Sequence, residues 1–255
     1  MTSEVTRVVA LGASNLTLGI QTAISTARAA FGPSVEVLAA NGYGRSYGAM
    51  SSIAGRALPG ILQSGLWTEL DRLDRVPTRA IIMDVGNDIL YGFPPAQILS
   101  WVEEAADRLL AHTSDVTLTD LPLESVKRLS PAKFLFFRSL FFPPCRLSRD
   151  EAFARVDEVN AGLIRLAASR RLRLLRLHPD WYGFDPIHIR PAFWGEAWNE
   201  ILAGRDASLP SARFSPAEWA RLHTLAPEKR WWLGFRGGTR QRGRTLRRGG
   251  RLWLY

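Results

Sequence analysis

Cysteine is almost absent from this chain of 255 residues, and the chain contains no long hydrophobic run. The single cysteine, Cys145, excludes an internal disulfide framework and a zinc site built from several cysteines. No stretch reaches the roughly 18 uninterrupted apolar residues that span a bilayer. The first residues also lack a basic segment followed by an apolar run and a small-residue cleavage site. We therefore expect a cytoplasmic protein without a membrane span.

Lysine is also scarce, with three residues among 33 basic ones, and the net charge of +9 is confined to one end. Residues 229–255 carry nine basic and no acidic side chains, which leaves 24 of each sign in residues 1–228. Such a tail can bind nucleic acid through its phosphates. It can equally be a solvated, partly disordered extension held to the body by tryptophans. We favour the extension, because the body has no excess of basic residues.

Short apolar runs alternate with longer amphipathic segments along the chain. The candidate strands are 5–11, 35–40, 80–85, 116–121 and 172–177, and the candidate helices are 18–31, 49–64, 95–112, 149–170 and 191–204. Strands separated by helices indicate right-handed crossovers and a parallel sheet covered on both faces.

An insertion over residues 123–147 interrupts the alternation and holds five of the twelve phenylalanines. Ser130-Pro131 is typical of a helix start and Pro143-Pro144 of a stop. The insertion could be a lid, the wall of an acyl pocket, a core helix or a dimer interface, and the sequence leaves these alternatives open.

Polar residues follow four of the candidate strands, at the edge of a parallel sheet where ligands bind. The four loops are 12–15, 41–46, 86–88 and 185–188, and they supply a hydroxyl, glycine amides, a carboxamide and an Asp/His pair. Acyl transfer needs a serine, an imidazole that accepts its proton and a carboxylate that orients the imidazole. Ser14 and His188 fit the first two parts. Asp185 lies three residues before His188, so both side chains can emerge from one turn.

The order Ser, Gly, Asn and His in these loops resembles the SGNH hydrolases (GDSL esterases and lipases) over roughly residues 5–204. VGNDILYGFPP at 85–95 is similar to that family's Gly-x-Asn-Asp block, and DPIH at 185–188 is similar to its Asp-x-x-His block. The resemblance implies that Ser14 is the nucleophile, with Asp185 and His188 as its triad partners. It also implies an oxyanion hole made by the Ser14 amide, the Gly44 amide and the Asn87 side chain, with no metal or organic cofactor.

The first block departs from the family signature. It reads Gly-Ala-Ser-Asn, so Ala13 replaces the signature aspartate and Asn15 adds one residue. This start is similar to the sialate- and xylan-acetylesterase relatives, so both acyl esters and acetylated sugars remain open as substrates. We choose Gly44 for the second block because a polar pair, Arg45-Ser46, follows it; Gly42 is the alternative.

Three competing interpretations concern the same loops. His178 with Asp180 forms a rival Asp/His pair. Asn87 could simply cap the following segment, a role that we assign to Asp88. GYGRSYG at 42–48 also has the form of a dinucleotide fingerprint, but the next acidic residue after a strand comes some 40 positions later rather than about 20. We therefore favour the oxyanion role for this loop.

We predict a three-layer α/β/α sandwich whose five-stranded parallel sheet has the flavodoxin-like order 2-1-3-4-5. Residues 1–204 would form this hydrolase domain, and residues 205–255 the basic Arg/Gly/Trp-rich extension. The predicted activity is that of a serine esterase, which cleaves a small-molecule ester through an acyl-serine intermediate. The alternative is a non-catalytic scaffold of the same fold whose tail binds nucleic acid. The sequence does not indicate the oligomeric state.

Overall fold

The computed structural model describes residues 5–53, 55–204, 209 and 214–255. Its strands are β1 (Arg7–Leu11), β2 (Glu36–Ala40), β3 (Ser51–Ile53), β4 (Arg56–Leu58), β5 (Thr78–Ile82), β6 (Val116–Thr119), β7 (Arg173–Leu175), β8 (Arg230–Trp232), β9 (Phe235–Gly237), β10 (Arg244–Thr245) and β11 (Arg251–Leu254). Its helices are α1 (Ser14–Phe31), α2 (Leu66–Arg72), α3 (Asn87–Leu90), α4 (Pro95–Leu110), α5 (Leu123–Lys127), α6 (Pro131–Phe141), α7 (Arg149–Arg170), α8 (Trp194–Ala203) and α9 (Pro216–His223).

The main sheet has seven strands in the order β10-β11-β2-β1-β5-β6-β7. The pairs are parallel except for β10 with β11. The five strands expected from the sequence are all present, and among themselves they keep the order 2-1-3-4-5. The prediction of a five-stranded sheet is nevertheless wrong, because two further strands extend the β2 edge and change the overall order.

The additional strands come from the basic extension. Leu252, Trp253 and Leu254 pair in parallel with β2 and are buried there. Gly249 and Gly250 adopt left-handed φ values of 87° and 80° in the turn that leads into β11. Glycine takes this conformation without the steric cost that a side chain brings. A short apolar segment beside such a turn thus forms a strand although its neighbours are arginines.

Helices cover both faces of the main sheet, as the alternation of side chains along each strand requires. On β1, Val8 belongs to the core formed with α1 and α8, and Val9 to the core formed with α4 and α7. The observed architecture is therefore the expected α/β/α arrangement of layers. Among the helices of the described part of the chain, none is long and apolar enough to cross a bilayer.

A second, antiparallel sheet has the order β3-β4-β8-β9. It replaces the helix expected over 49–64, a prediction that is wrong. Gly55, at φ 77°, lies in the turn between β3 and β4, and β4 pairs with β8 of the distant extension. Partners this far away in the chain cannot be read from local periodicity.

The phenylalanine-rich insertion forms α5 and α6 and leads into α7. The Ser130 hydroxyl accepts a hydrogen bond from the Lys133 amide at the start of α6, and Ser148 forms a complete capping box with Glu151 at the start of α7. Phe134 and Phe137 pack with Leu129 and Ala152 in a small separate core. The insertion is thus anchored to α7 by its inner face.

Candidate active site

Ser14 is the first residue of α1 and is nearly buried at the carboxyl edge of the main sheet. The amide groups of a first helical turn have no partner within the helix and give that end a partial positive charge. A serine hydroxyl in this position lies in a field that favours negative charge. The structure thus places Ser14 where the sequence predicts a nucleophile.

The turn that carries Ser14 is held by Asp84, which follows β5. The Asp84 carboxylate accepts hydrogen bonds from the amides of Ala13 (2.8 Å) and Leu16 (3.2 Å). Ala13 has no side chain that could cap α1, so an acid from another strand performs the capping. Asp84 itself has a left-handed φ of 62°, which is uncommon for a residue other than glycine. The sequence does not indicate this role, because Asp84 lies close to the turn of Ser14 only when β1 and β5 pair in the folded sheet.

Asn15 joins this turn to the loop that carries the candidate base. Its Nδ2 donates to Asp84 Oδ1 (2.8 Å) and to the carbonyl of Ile187 (2.9 Å). Its Oδ1 accepts from the amide of Ile189 (2.8 Å). These contacts flank His188 on both sides in the sequence. Asn15, which the sequence analysis treated only as an additional residue, therefore fixes Ser14 relative to the His188 loop.

Asp185 and His188 form the side-chain pair that their spacing predicts. Asp185 Oδ2 lies 2.7 Å from His188 Nδ1, and Asp185 Oδ1 accepts from the amides of Ile187 (3.0 Å) and His188 (3.2 Å). Burial raises the pKa of Asp185, but the hydrogen bond and charge of His188 and the two amides together bring it below its usual value. The carboxylate is therefore ionised at neutral pH and can hold the ring in one orientation.

The rival histidine, His178, lies in a different environment. Its Nε2 is 3.3 Å from Glu200 Oε2 on α8, and its ring stacks on Trp181 with centroids 4.7 Å apart. By contrast, the His188 ring meets the edge of Phe141 at 5.2 Å, and Phe141 lines the pocket described below. The geometry favours His188 over His178 as the histidine of the site.

The loops of Gly44 and Asn87 lie side by side. The Tyr91 hydroxyl donates to the carbonyl of Gly44 (2.7 Å), and Asn87 Nδ2 lies 3.5 Å from the carbonyl of Arg45. Gly44 has a φ of 58°, and a Cβ added there would come within 2.1 Å of Ile53 Cδ1. Gly42 is also crowded, since a Cβ there would lie 2.2 Å from Leu58 Cδ1. The left-handed backbone favours glycine at position 44, whereas at position 42 a side chain would require the end of Leu58 to move.

Two buried charged residues hold these loops. Asp88 Oδ2 accepts from the Tyr47 amide (2.9 Å), and burial raises the pKa of Asp88 to about 6. Arg45 is fully buried, and burial lowers its pKa to about 9. Its guanidinium donates to the carbonyls of Pro59 and Asn41, each at 3.1 Å, and to the main-chain oxygen of Tyr255. Asp88 was expected to cap the segment that follows it, but α3 has no side-chain cap, and Asp88 anchors the neighbouring loop instead.

The segment after residues 42–48 forms strand β3. A dinucleotide fingerprint requires a helix at this point, whose amino terminus receives the pyrophosphate. The dinucleotide interpretation of GYGRSYG therefore lacks its structural context.

A large pocket opens beside Ser14. It holds about 960 Å³ of empty space, part of which is open to solvent. Ser14 and Asn87 line one end, and the remaining lining is mainly apolar, with contributions from Leu121, Val126, Leu129, Phe134, Phe137, Phe141, Phe153 and Val156. The insertion therefore forms one wall of the candidate site.

Asp120 is an acidic group in this pocket that the sequence analysis did not identify. It follows β6, and its Oδ1 accepts from the Leu177 amide at 2.7 Å. Burial raises the pKa of Asp120 to about 6, against the opposing effects of that amide and nearby positive charge. Its position directly after a strand end is the signal that would have identified it.

Within the described ranges, one group of side chains has the composition of a metal site. His178, Glu196 and Glu200 have ligand atoms within 4.8 Å of one another. The indole Nε1 of Trp181 donates to Glu196 Oε1 (2.9 Å). His178 Nε2 lies 3.3 Å from Glu200 Oε2, so these two side chains contact each other directly, and we assign the group a structural role.

No family model and no curated protein matches this chain. Several solved structures do match it. The match to one of them has 11% sequence identity, covers 78% of the present chain and 99% of the solved chain, and has a TM-score of 0.51. A member of the lipolytic protein G-D-S-L family from Veillonella parvula is 12% identical, with coverage of 78% and 99% and a TM-score of 0.48. The esterase EstA from Pseudoalteromonas is 12% identical, with coverage of 76% and 93% and a TM-score of 0.48.

At these identities the likeness concerns the fold and not the chemistry. The structure that superposes at 0.51 is covered almost from end to end, while about a fifth of the present chain lies outside the match. The chain therefore shares its α/β fold with a solved protein of smaller size.

Proposed function

We propose that this protein is a serine esterase of the SGNH hydrolase type, with Ser14, His188 and Asp185 as its triad. The observation that carries the proposal is the contact of 2.7 Å between Asp185 Oδ2 and His188 Nδ1, in a loop that Asn15 ties to the turn of Ser14. The order of the four loops in the sequence and the shared fold support the same conclusion.

The mechanism follows from the direction of the imidazole. Because Nδ1 of His188 faces Asp185, Nε2 is the nitrogen that accepts the Ser14 proton as Oγ attacks the ester carbonyl. Asp185 stabilises the imidazolium that results. His188 then protonates the departing alcohol, and the acyl group remains on Ser14. Water, deprotonated by the same imidazole, releases the acid and restores the serine.

The oxyanion of each tetrahedral intermediate would be bound by the amides of Ser14 and Gly44 and by Asn87 Nδ2. Each such donor typically contributes about 10²- to 10³-fold in rate. The bonds from Tyr91 and Asp88 to the Gly44–Tyr47 loop preorganise this part of the site, since a donor that must reorient during the reaction contributes less.

The pocket favours an acyl ester over an acetylated sugar. Sugars are held by many polar side chains, whereas this pocket is lined mainly by aliphatic and aromatic ones. An acyl chain of several carbons would contact Phe134, Phe137 and Phe141, and each buried methylene contributes about 0.8 kcal/mol. We therefore propose that turnover improves from acetyl to longer acyl groups.

The test is hydrolysis of p-nitrophenyl esters from acetyl to decanoyl, with folding checked by circular dichroism. Ser14→Ala is expected to abolish turnover without unfolding the protein. His188→Ala is expected to lose far more activity than His178→Ala, which serves as its matched control. A folded Ser14→Ala variant with wild-type activity, or the reverse ranking of the two histidines, would refute the proposed triad.

A further inference from the structure

Helix α6 is unusually apolar for a helix at the surface. Eight of its eleven residues are apolar, and the three polar ones are Lys133, Arg138 and Ser139. Around it, residues 125–149 carry six basic and no acidic side chains. A helix that is apolar on all sides normally lies in a protein core or in a lipid phase.

Only one face of α6 is buried by the protein itself. Phe134 and Phe137 point inward and line the pocket beside Ser14. On the outer face, Leu135, Phe136 and Leu140 are 52%, 53% and 57% exposed. These three side chains can be covered only by something outside the described chain.

Phe184, from the loop before Asp185, extends this outer face toward the candidate active site. It is 68% exposed, and its ring centroid lies 5.4 Å from that of Phe137 and 6.4 Å from that of Phe136. We call Leu135, Phe136, Leu140 and Phe184 the α6 surface. It adjoins the pocket, because Phe137 lines the pocket and its ring packs against those of Phe136 and Phe184. Contiguous exposed apolar patches of this kind mark interaction sites.

Charge decides among the occupants that would fit an apolar surface. A second copy of the chain docked through the same face would bring the cations of two copies together, Lys133 on the apolar face among them, and like charges oppose such a pairing. A surface of anionic lipids satisfies both features, since apolar side chains enter the interface while lysine and arginine meet the headgroups. Lys133 stands 5.1 Å over the Phe184 ring, so one of the cations lies on the α6 surface itself.

We propose that the α6 surface docks this protein on anionic lipid layers, with the pocket mouth turned toward the lipid. Half of the six cations are paired with acidic side chains, namely Lys127 with Asp157 at 2.7 Å, Arg149 with Asp150 at 3.3 Å and Arg128 with Glu124 at 3.5 Å. The attraction therefore depends mainly on Lys133, Arg138 and Arg146. The docking itself is independent of the proposed esterase activity. The delivery of acyl esters from the lipid layer to Ser14 rests on that activity.

The test is flotation of the full chain with vesicles of phosphatidylcholine alone and of phosphatidylcholine with 30% phosphatidylglycerol. The variant Leu135→Ser/Phe136→Ser/Leu140→Ser removes the outer face. The control is Trp232→Ser/Phe235→Ser, which changes side chains that are 56% and 80% exposed on the β8–β9 hairpin. We expect wild type and control to bind the anionic vesicles, the triple variant to lose at least tenfold in partitioning, and high salt to weaken binding.

Equal binding of wild type and triple variant, or equal binding to both vesicle types, would overturn the proposal. The proposal would also be overturned if the wild-type protein did not bind vesicles but formed a dimer, and the triple variant were monomeric. The α6 surface would then be an interface between two copies of the chain. Hydrolysis of soluble p-nitrophenyl acetate is measured in parallel. The triple variant should retain it, and vesicle binding without any hydrolysis would reject the esterase while leaving the docking surface intact.

Discussion

Asn15 offers the sharpest test of how the candidate site is held together. Its side chain makes three hydrogen bonds, two to the 187–189 segment and one to Asp84, all within 2.9 Å. Asn15→Leu keeps the number and branching of the side-chain heavy atoms and removes all three hydrogen bonds. It also leaves the carbonyl of Ile187 and the amide of Ile189 without these partners.

The expected loss of stability follows from the number of hydrogen bonds that the substitution removes. A typical intramolecular hydrogen bond contributes about 0.5–1.5 kcal/mol net, so the free energy of unfolding should fall by about 2–4 kcal/mol. Activity should fall more than this loss suggests, because Ser14 and His188 lie on the two segments that Asn15 joins. A displacement of about 1 Å between reacting groups can cost about 10²-fold in rate. We therefore expect kcat to fall by about 10²-fold under conditions in which the variant is fully folded.

The effect on stability is measured by urea denaturation, and the effect on catalysis is measured as the kcat for p-nitrophenyl acetate. The control is Asn160→Leu, which removes another nearly buried asparagine whose Oδ1 accepts from the Leu121 amide at 3.0 Å. Asn160→Leu should lower stability and leave kcat for the acetyl ester close to that of wild type. If Asn15→Leu is destabilised and yet turns over the ester at the wild-type rate, the link between the two segments does not position the triad.

Three further predictions concern the surrounding loops. Asn87→Ala should lower kcat by about 10²-fold with little change in the acetyl-ester KM, and unchanged kcat would exclude Asn87 from the oxyanion hole. Because the pKa of Asp88 is about 6 when folded and about 4 when unfolded, stability should fall by about 3 kcal/mol as the pH rises through this window. Asp88→Asn should flatten that dependence in urea titrations at pH 4.5 and 7, and a slope equal to wild type would contradict the assignment. Deleting residues 244–255 should yield aggregated protein, because it exposes the edge of β2; a soluble, cooperatively folding product would refute this.

The sequence predicted the elements whose signals are local. The helix expected over 149–170 is α7, and the five apolar runs became five adjacent strands in their expected mutual order. The candidate residues Ser14, Asn87, Asp185 and His188 could be chosen because parallel strands bring all their carboxyl ends to one edge. The contact between Asp185 and His188 depends on a spacing of three residues, so it also was predictable.

The features that could not be predicted depend on partners far apart in the chain. β11 is a strand because β2, more than 200 residues earlier, offers it an edge. Its three apolar residues follow a segment rich in arginine and glycine that favours no strand. β4 likewise depends on β8. Asp84 and Asn15 belong to ordinary turn-forming types, and their bonds to distant amides give them their positions. The exposed outer face of α6 could not be predicted for another reason. In a helix with apolar residues on most sides, the sequence does not indicate which side stays exposed.

The buried guanidinium of Arg45 has a consequence for the order in which the protein assembles. It binds the main-chain oxygen of Tyr255 and thereby joins the loop of Gly44 to the end of β11. This bond joins segments that lie 210 residues apart in the chain, so it can form only after β11 has been brought beside β2. Contacts over such sequence distances form slowly. The Gly44 loop should therefore reach its final conformation only when β11 has joined the sheet.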